Sequence, residues 1–210
     1  MRKITVTQGL VELKLYEKKI SDAIREMSSV GVKKKASSLV GHMSADKFAK
    51  NILAEYQSVT DMIRNRAELK AAIANSNAIT MVTVNGEQMT RAQAIERKTS
   101  IAYEQQLLNK IMGEYASATA TIQRENSKVD DKVADLLKTL IGKDAAKKIT
   151  EEDQKAIEEP YRKNNEYELV DPLDVQEKIK ELRDKIDGFI SNVDTVLVVS
   201  NSTTFIELAA

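Results

Sequence analysis

Apolar positions along most of this chain recur every third or fourth residue, a period that predicts helices. Leu10, Leu13, Ile20, Ile24 and Met27 share one face of a first helix, expected to start at a capping Thr7 and to end around residues 28–31. Residues 31–44 carry two glycines, several serines and the run Lys33, Lys34, Lys35, and read as a basic loop. Ser44 caps a long second helix with the stripe Phe48, Ile52, Tyr56, Val59 and Ile63. Leu69 and Ile73 continue that stripe out of phase, and the helix is expected to run to about Asn75.

The period then changes. Thr80, Val82 and Val84 alternate with Met81 and Thr83 ahead of Asn85-Gly86, a dipeptide of tight hairpins. A short strand ending in a turn follows from that pattern. Thr90 and Gln93 stand at capping-box spacing and open a third helix. Within it Ile101, Leu108, Tyr115 and Ile122 repeat by sevens, with Ile111 and Ala118 between them, which is a heptad seam. A separate shorter helix is expected from Asp130 to Ile141, with Val133, Leu136, Leu137 and Leu140 inward and Gly142 as its stop. Residues 143–166 are charged and contain Pro160; a short helix from Thr150 and an irregular excursion are both open. Tyr167 to Val170 reads as extended. Asp171 and Pro172 open the last helix as cap and first residue, and Val175, Ile179, Leu182, Ile186, Phe189, Val193 and Val196 step by four and three along it.

One peptide occurs twice: SNAITMVTV at 76–84 and SNSTTFIEL at 200–208. Each copy follows a long helix and ends in strand-like alternation. Ser and Asn at a helix C-terminus can bond orphan carbonyls, and Asn tolerates the left-handed conformation that turns a chain out of a helix. The two strands are expected to form one small ribbon, pairing either within a chain or between subunits. A two-stranded ribbon alone is marginal in water, so it must pack on the helical body or be completed by another chain. The joint consists of Ser76, Asn77, Thr80, Val82 and Val84 with Ser200, Asn201, Thr204, Ile206 and Leu208. The expected fold is mainly α: long antiparallel helices with heptad seams plus that ribbon. It is read as a single elongated domain over 1–210, with 31–44 as a basic loop and 126–166 as a charged insertion.

Composition narrows the function. Charged residues make up 30% and aromatics 4%, which suits narrow-striped helices. The absence of Cys excludes disulfides and thiolate metal sites. Thirty-two basic and thirty-two acidic residues leave no net field to draw the chain to nucleic acid or to an anionic membrane. The aromatics are too few to stack bases along a groove. The N-terminus has no apolar core of signal-peptide length, and runs such as Val196 to Val199 are far too short to span a bilayer.

Candidate chemistry is sparse. His42 is the single histidine, so any triad built on His would have to use it; it reads as a solvated loop residue, and with no Cys and no second His a zinc site is not expected. Adjacent carboxylates, as in Asp130-Asp131, Glu151 to Asp153 and Glu158-Glu159, point in different directions on a helix. Lys33, Lys34, Lys35, Arg64, Arg66 and Lys70 are candidates for holding an anion, with a solvated basic surface as the alternative. Arg91 and Arg97 open the third helix and would form a basic patch beside the repeat with Arg64, Arg66 and Lys70 if the helices pack together; pairing with Glu68, Glu87 or Glu96 is the favoured alternative. No catalytic residue, no metal site and no cofactor is expected.

The stretch DMIRNRAELKAAIANSNAITMVTVNGEQMTRAQAIERKTSI, residues 61–101, resembles the septicolysin-like family of uncharacterised helical proteins. The features that carry the likeness are Asn75 to Asn77, Gly86, and Thr90 with Ala94 and Arg97. Similar chains occur in tailed-phage genomes. The resemblance spans roughly residues 50–125 and 167–208; the loop at 31–44 and the segment 126–166 depart from it. It implies the helical fold and brings no catalytic residues. The family name implies pore formation, for which this chain has no apolar segment to insert. The function expected is therefore that of a non-enzymatic, self-associating structural or interaction protein, phage-encoded and part of a virion. The alternative is a small-ligand or nucleotide-binding protein that sequesters a host signal. Expected partners are further copies or other protein subunits, without membrane or nucleic acid, in the cytoplasm or the virion.

Overall fold

The computed structural model describes residues 1–141 and 150–208. In chain order the elements are β1 (Arg2–Thr5), α1 (Val6–Glu26), β2 (Leu39–Val40), β3 (Met43–Ser44), α2 (Ala45–Ile79), β4 (Met81–Val84), β5 (Glu87–Thr90), α3 (Arg91–Ile141), α4 (Glu151–Asn165), α5 (Val175–Thr203) and β6 (Phe205–Leu208). The protein is mainly helical with small antiparallel sheets. It divides into two compact units, Met1–Thr99 with Gly188–Ala210, and Ser100–Asp187.

The first unit holds the strands. Among the described residues they form three two-stranded antiparallel sheets: β1 with β6, β2 with β3, and β4 with β5. The single ribbon expected from the two repeated peptides does not form. β4 turns back through Asn85 (φ 50°) and Gly86 (φ 79°) to pair with β5, while β6 pairs with β1. A two-residue turn closes at little entropic cost and claims β4 for its neighbour, so β6 pairs instead with a strand at the far end of the sequence.

β1 is an element the sequence pattern missed, and it moves the start of α1 from Thr7 to Val6. Thr5 is the cap: its hydroxyl accepts from the Gln8 N–H, and the Gln8 side chain accepts from the Thr5 N–H. The buried face of α1 agrees in part with the one expected, Met27 among its half-buried residues. Val6 and Gly9 are buried and Leu13, Tyr16 and Ile20 half-buried, while Leu10 and Ile24 are exposed. Ile4, Val6, Leu69, Ile73 and Ile206 make a core cluster that joins β1, α1, α2 and β6. Gly9 lets α1 approach closely, because a Cβ there would stand 3.1 Å from Ile73 and 3.2 Å from Ile206.

Ser44 caps α2 as expected, its hydroxyl accepting from the Lys47 N–H. Tyr56 and Ile63, placed inward by the sequence pattern, are exposed. The helix also runs past Asn75 to Ile79, so Ser76 and Asn77 are helical. No left-handed Asn ends it. The chain leaves through Thr80 in extended conformation (φ −78°, ψ 120°).

In the second unit α3 continues without a break where a new helix was expected at Asp130. Aspartates in mid-helix cost little when they face water, and Asp130 pairs with Arg162 of α4 at 2.6 Å. Ile101, Val129 and Val133 are buried and Leu108, Tyr115 and Ile122 half-buried, whereas Leu136 is exposed. The Leu140 side chain and Gly142 lie outside the described residues. Residues 151–165 are helical, with Thr150 and Asp153 as a capping box. Asn126 clamps the extended segment after α4, donating to the Tyr167 carbonyl (3.0 Å) and accepting from its N–H (2.8 Å). Asp171 and Pro172 stand in a turn ahead of α5, which begins at Val175. Asp171 accepts from the Val175 N–H at 2.9 Å, so the cap acts from outside the helix. Gln176 bonds Tyr115 and Lys185 bonds Glu104, an antiparallel order of α5 along α3. Every residue of the α5 stripe from Val175 to Val196 is buried or half-buried.

Candidate functional site

The two repeated peptides build two joints, and the joints match atom for atom in their backbone bonding. Thr80 N–H donates to the Ser76 carbonyl at 3.0 Å, and Thr204 N–H donates to the Ser200 carbonyl at 3.0 Å. Arg91 N–H donates to the Thr80 carbonyl (2.9 Å) just as Val6 N–H donates to the Thr204 carbonyl (3.0 Å). Met81, Val82, Thr83 and Val84 face Thr90, Met89, Gln88 and Glu87. Phe205, Ile206, Glu207 and Leu208 face Thr5, Ile4, Lys3 and Arg2 in the same register. Thr90 and Gln93 form a capping box with the same bonds as Thr5 and Gln8.

The chain therefore contains one helix–strand–strand–helix module twice. In one copy, α2–β4–β5–α3, a turn joins the strands. In the other, α5–β6–β1–α1, the strands come from opposite ends of the sequence. Equivalent side chains keep their roles. Gly9 and Ala94, the two small residues one turn into the helices, are both buried. An ion pair ties strand to helix in each copy with its charges reversed: Arg2 with Glu12, and Glu87 with Arg97.

Arg91 is where the copies differ. Its counterpart is Val6, which is 1% exposed, while Arg91 is 0% exposed. The guanidinium donates to the Ser76 hydroxyl (2.5 Å), the Thr80 hydroxyl (3.2 Å) and the Asn201 side-chain oxygen (3.0 Å). It thus cross-links the two joints, and its acceptors among the described residues are all neutral. Desolvation by burial pulls its pKa below the usual arginine value. Its Nε and the Asn77 side-chain oxygen are buried without a hydrogen-bond partner among the described residues. From the sequence Arg91 reads as part of a basic patch beside the repeat or as a partner of Glu68, Glu87 or Glu96; its side chain instead bonds Ser76, Thr80 and Asn201. The sign of its role was the equivalence of positions 6 and 91, readable once Thr5-Gln8 is laid on Thr90-Gln93.

Each long helix hands its strand to the ladder resting on the other. β6, which follows α5, packs on α2 through Ile206. The β4–β5 turn, which follows α2, seats Asn85 against Gly188 of α5, where an added Cβ would displace the Asn85 side chain. Arg97 lies over the Phe189 ring of α5 at 4.6 Å. Val82, Val84, Ile206 and Leu208 point inward, the first three buried and Leu208 half-buried.

The basic candidates do not come together. Lys33, Lys34 and Lys35 are exposed, near the start of α2, and Lys33 donates to the Ser37 carbonyl. Arg64 lies about 24 Å further along α2 than Phe48, whose ring abuts Gly31. Arg64 pairs with Asp61, Arg66 with Glu17 of α1, and Lys70 is exposed. Arg2, Glu12, Tyr16, Arg64, Asn65 and Glu68 line a groove of about 310 Å³. His42 is exposed in the β2–β3 turn. Among the described residues no group of three His, Cys, Asp or Glu side chains is placed to hold a metal ion, and no helix is long and apolar enough to cross a membrane.

No family model matches the chain, and no curated protein or solved structure matches it either.

Proposed function

We propose that this is a non-enzymatic, self-associating structural or interaction protein whose paired joints are its assembly surface. The observation that carries this reading is the outward face of the two joints. Met81 and Phe205, the first residue of β4 and of β6, are both apolar and more than half exposed. Leu10 and Ile95 repeat the match on the helices that follow. Two-stranded ladders also leave backbone donors and acceptors open along both outer edges. A duplicated surface of this kind suits a two-fold arrangement of identical subunits. The resemblance to chains of tailed-phage genomes is what points to a virion component.

The test is sedimentation of the intact chain beside the double variant Met81→Asp, Phe205→Asp. These positions face solvent, so the substitutions leave the core alone. A chain shortened to Val199 would instead lose Ile206 from the core and melt earlier whatever its assembly. The intact chain should sediment as an oligomer and the variant as a smaller, equally helical species. An intact chain that sediments as a monomer contradicts the proposal.

A small-ligand function draws on the groove beside Arg2 and Arg64. Both cations already face carboxylates, Glu12 and Asp61, so the groove offers an anion little net charge. A ligand-induced rise in melting temperature is the outcome that would favour it.

A further inference from the structure

We propose that β6 is exchanged between copies of this chain, the β6 strand of one subunit completing the β1 ladder of another. The proposal rests on the self-association reading and names the strand that would carry it.

Three observations support a second copy as the occupant. First, the two ladders have the same register and the same flanking hydrogen bonds, but only one is closed by a turn. Asn85 and Gly86 hold β4 to β5 within one chain. β1 and β6 are joined only through the rest of the fold, whatever precedes Arg2 or follows Leu208. Every bond of the β1–β6 ladder is available unchanged to a β6 from another chain. Exchange of an identical element then preserves the contacts and changes only the connection.

Second, the core beneath this ladder is unfinished without a β6. Ile4, Val6, Leu69 and Ile73 are each at most 6% exposed, with Ile206 as the fifth member of their cluster. An empty site would expose them together, so the position selects an occupant of this sequence, apolar at Ile206 and Leu208. Third, Ser202 and Thr203 at the end of α5 are exposed and Thr204 is half-buried, so a change of direction there costs no core packing, only local bonds such as that of the Thr204 N–H to the Ser200 carbonyl.

The chain has no cysteine, which makes disulfide trapping selective. Lys3 faces Glu207 across the ladder, and both are exposed. Full-length Lys3→Cys and full-length Glu207→Cys are unfolded together, refolded, oxidised and run without reductant. Thr83→Cys and Gln88→Cys, which face one another in the closed hairpin, are the control pair. Exchange predicts a band of doubled mass from the Lys3→Cys and Glu207→Cys mixture and none from the control mixture.

A permuted chain gives a second readout. Leu208 is joined to Arg2 through Asn-Gly, and new ends are opened between the exposed Leu169 and Val170. That turn ties β6 to its own β1, so the permuted chain should fall to a smaller mass than the parent although Met81 and Phe205 are kept. If the mixture does not cross-link and the permuted chain keeps the mass of the parent, strand exchange is wrong while self-association stands. If the parent is itself a monomer by light scattering, both readings fail.

Discussion

Replacing Arg91 separates what its charge contributes from what its volume contributes. Arg91→Ala removes three hydrogen bonds, to Ser76, Thr80 and Asn201, and leaves a hole at a position that is 0% exposed. Hydrogen bonds to a charged group are worth about 1.5–3 kcal/mol each. Desolvation of the guanidinium, evident in its lowered pKa, offsets much of that sum. Truncation of a large buried side chain to Ala typically costs about 2–5 kcal/mol, and a loss in that range is expected here. Arg91→Met keeps most of the volume and removes the buried charge. Ser76 is helical, so its hydroxyl can turn to a carbonyl one turn back. The expected loss is then only about 1–2 kcal/mol, because the other copy of the joint already closes with an apolar Val6 at this place. The assay is urea unfolding followed by circular dichroism, with all chains at one protein concentration because association adds to apparent stability. An Arg91→Ala chain within about 0.5 kcal/mol of the parent would refute the claim that Arg91 cross-links the joints. An Arg91→Met chain as unstable as Arg91→Ala would refute the claim that desolvation offsets its bonds.

Other consequences can be checked in the same way. Thr5→Ala and Thr90→Ala should each cost about 0.5–2 kcal/mol and by similar amounts, since both remove the cap of one capping box; unequal unfolding midpoints would argue against equivalence of the two modules. Gly9→Leu should cost about 1–3 kcal/mol in thermal unfolding through overpacking against Ile73 and Ile206. Hydrogen bonds from Lys128 and Arg124 hold the Glu125 carboxyl below its ordinary pKa. A depressed carboxylate pKa contributes stability above the ordinary value and loses it as pH falls through the folded value. A carboxyl-carbon NMR titration should therefore find the Glu125 midpoint below that of Glu125 in the unfolded chain, and Glu125→Gln should flatten the acid limb of the stability profile.

The long helices were legible because their signals are local. Ser44, Thr150, and Thr90 with Gln93 act as caps where the spacing placed them, and the α5 stripe is turned inward throughout. Asn85-Gly86 turns the chain as the dipeptide predicts. What was not legible depended on distant partners or on residues without an apolar signature. β1 is four residues with two charges, and only pairing with β6 makes it a strand. On the α1 face Leu10 and Ile24 were misplaced, because Gly9, which is buried there, carries no hydrophobic signal. Arg91 reads as a surface charge until its equivalence to Val6 is seen. The repeated peptide was visible as nine residues. Its continuation into the following strand and helix was hidden, because one copy wraps from the end of the sequence to its beginning.

The measurement that bears most directly on the account is the molar mass of the intact chain by light scattering over a range of concentrations. A protein whose duplicated joints serve assembly should give a fixed multiple of 23.4 kDa, or a mass that rises toward one with concentration. A mass of 23.4 kDa at every concentration would contradict it and leave the joints as devices that close a single chain.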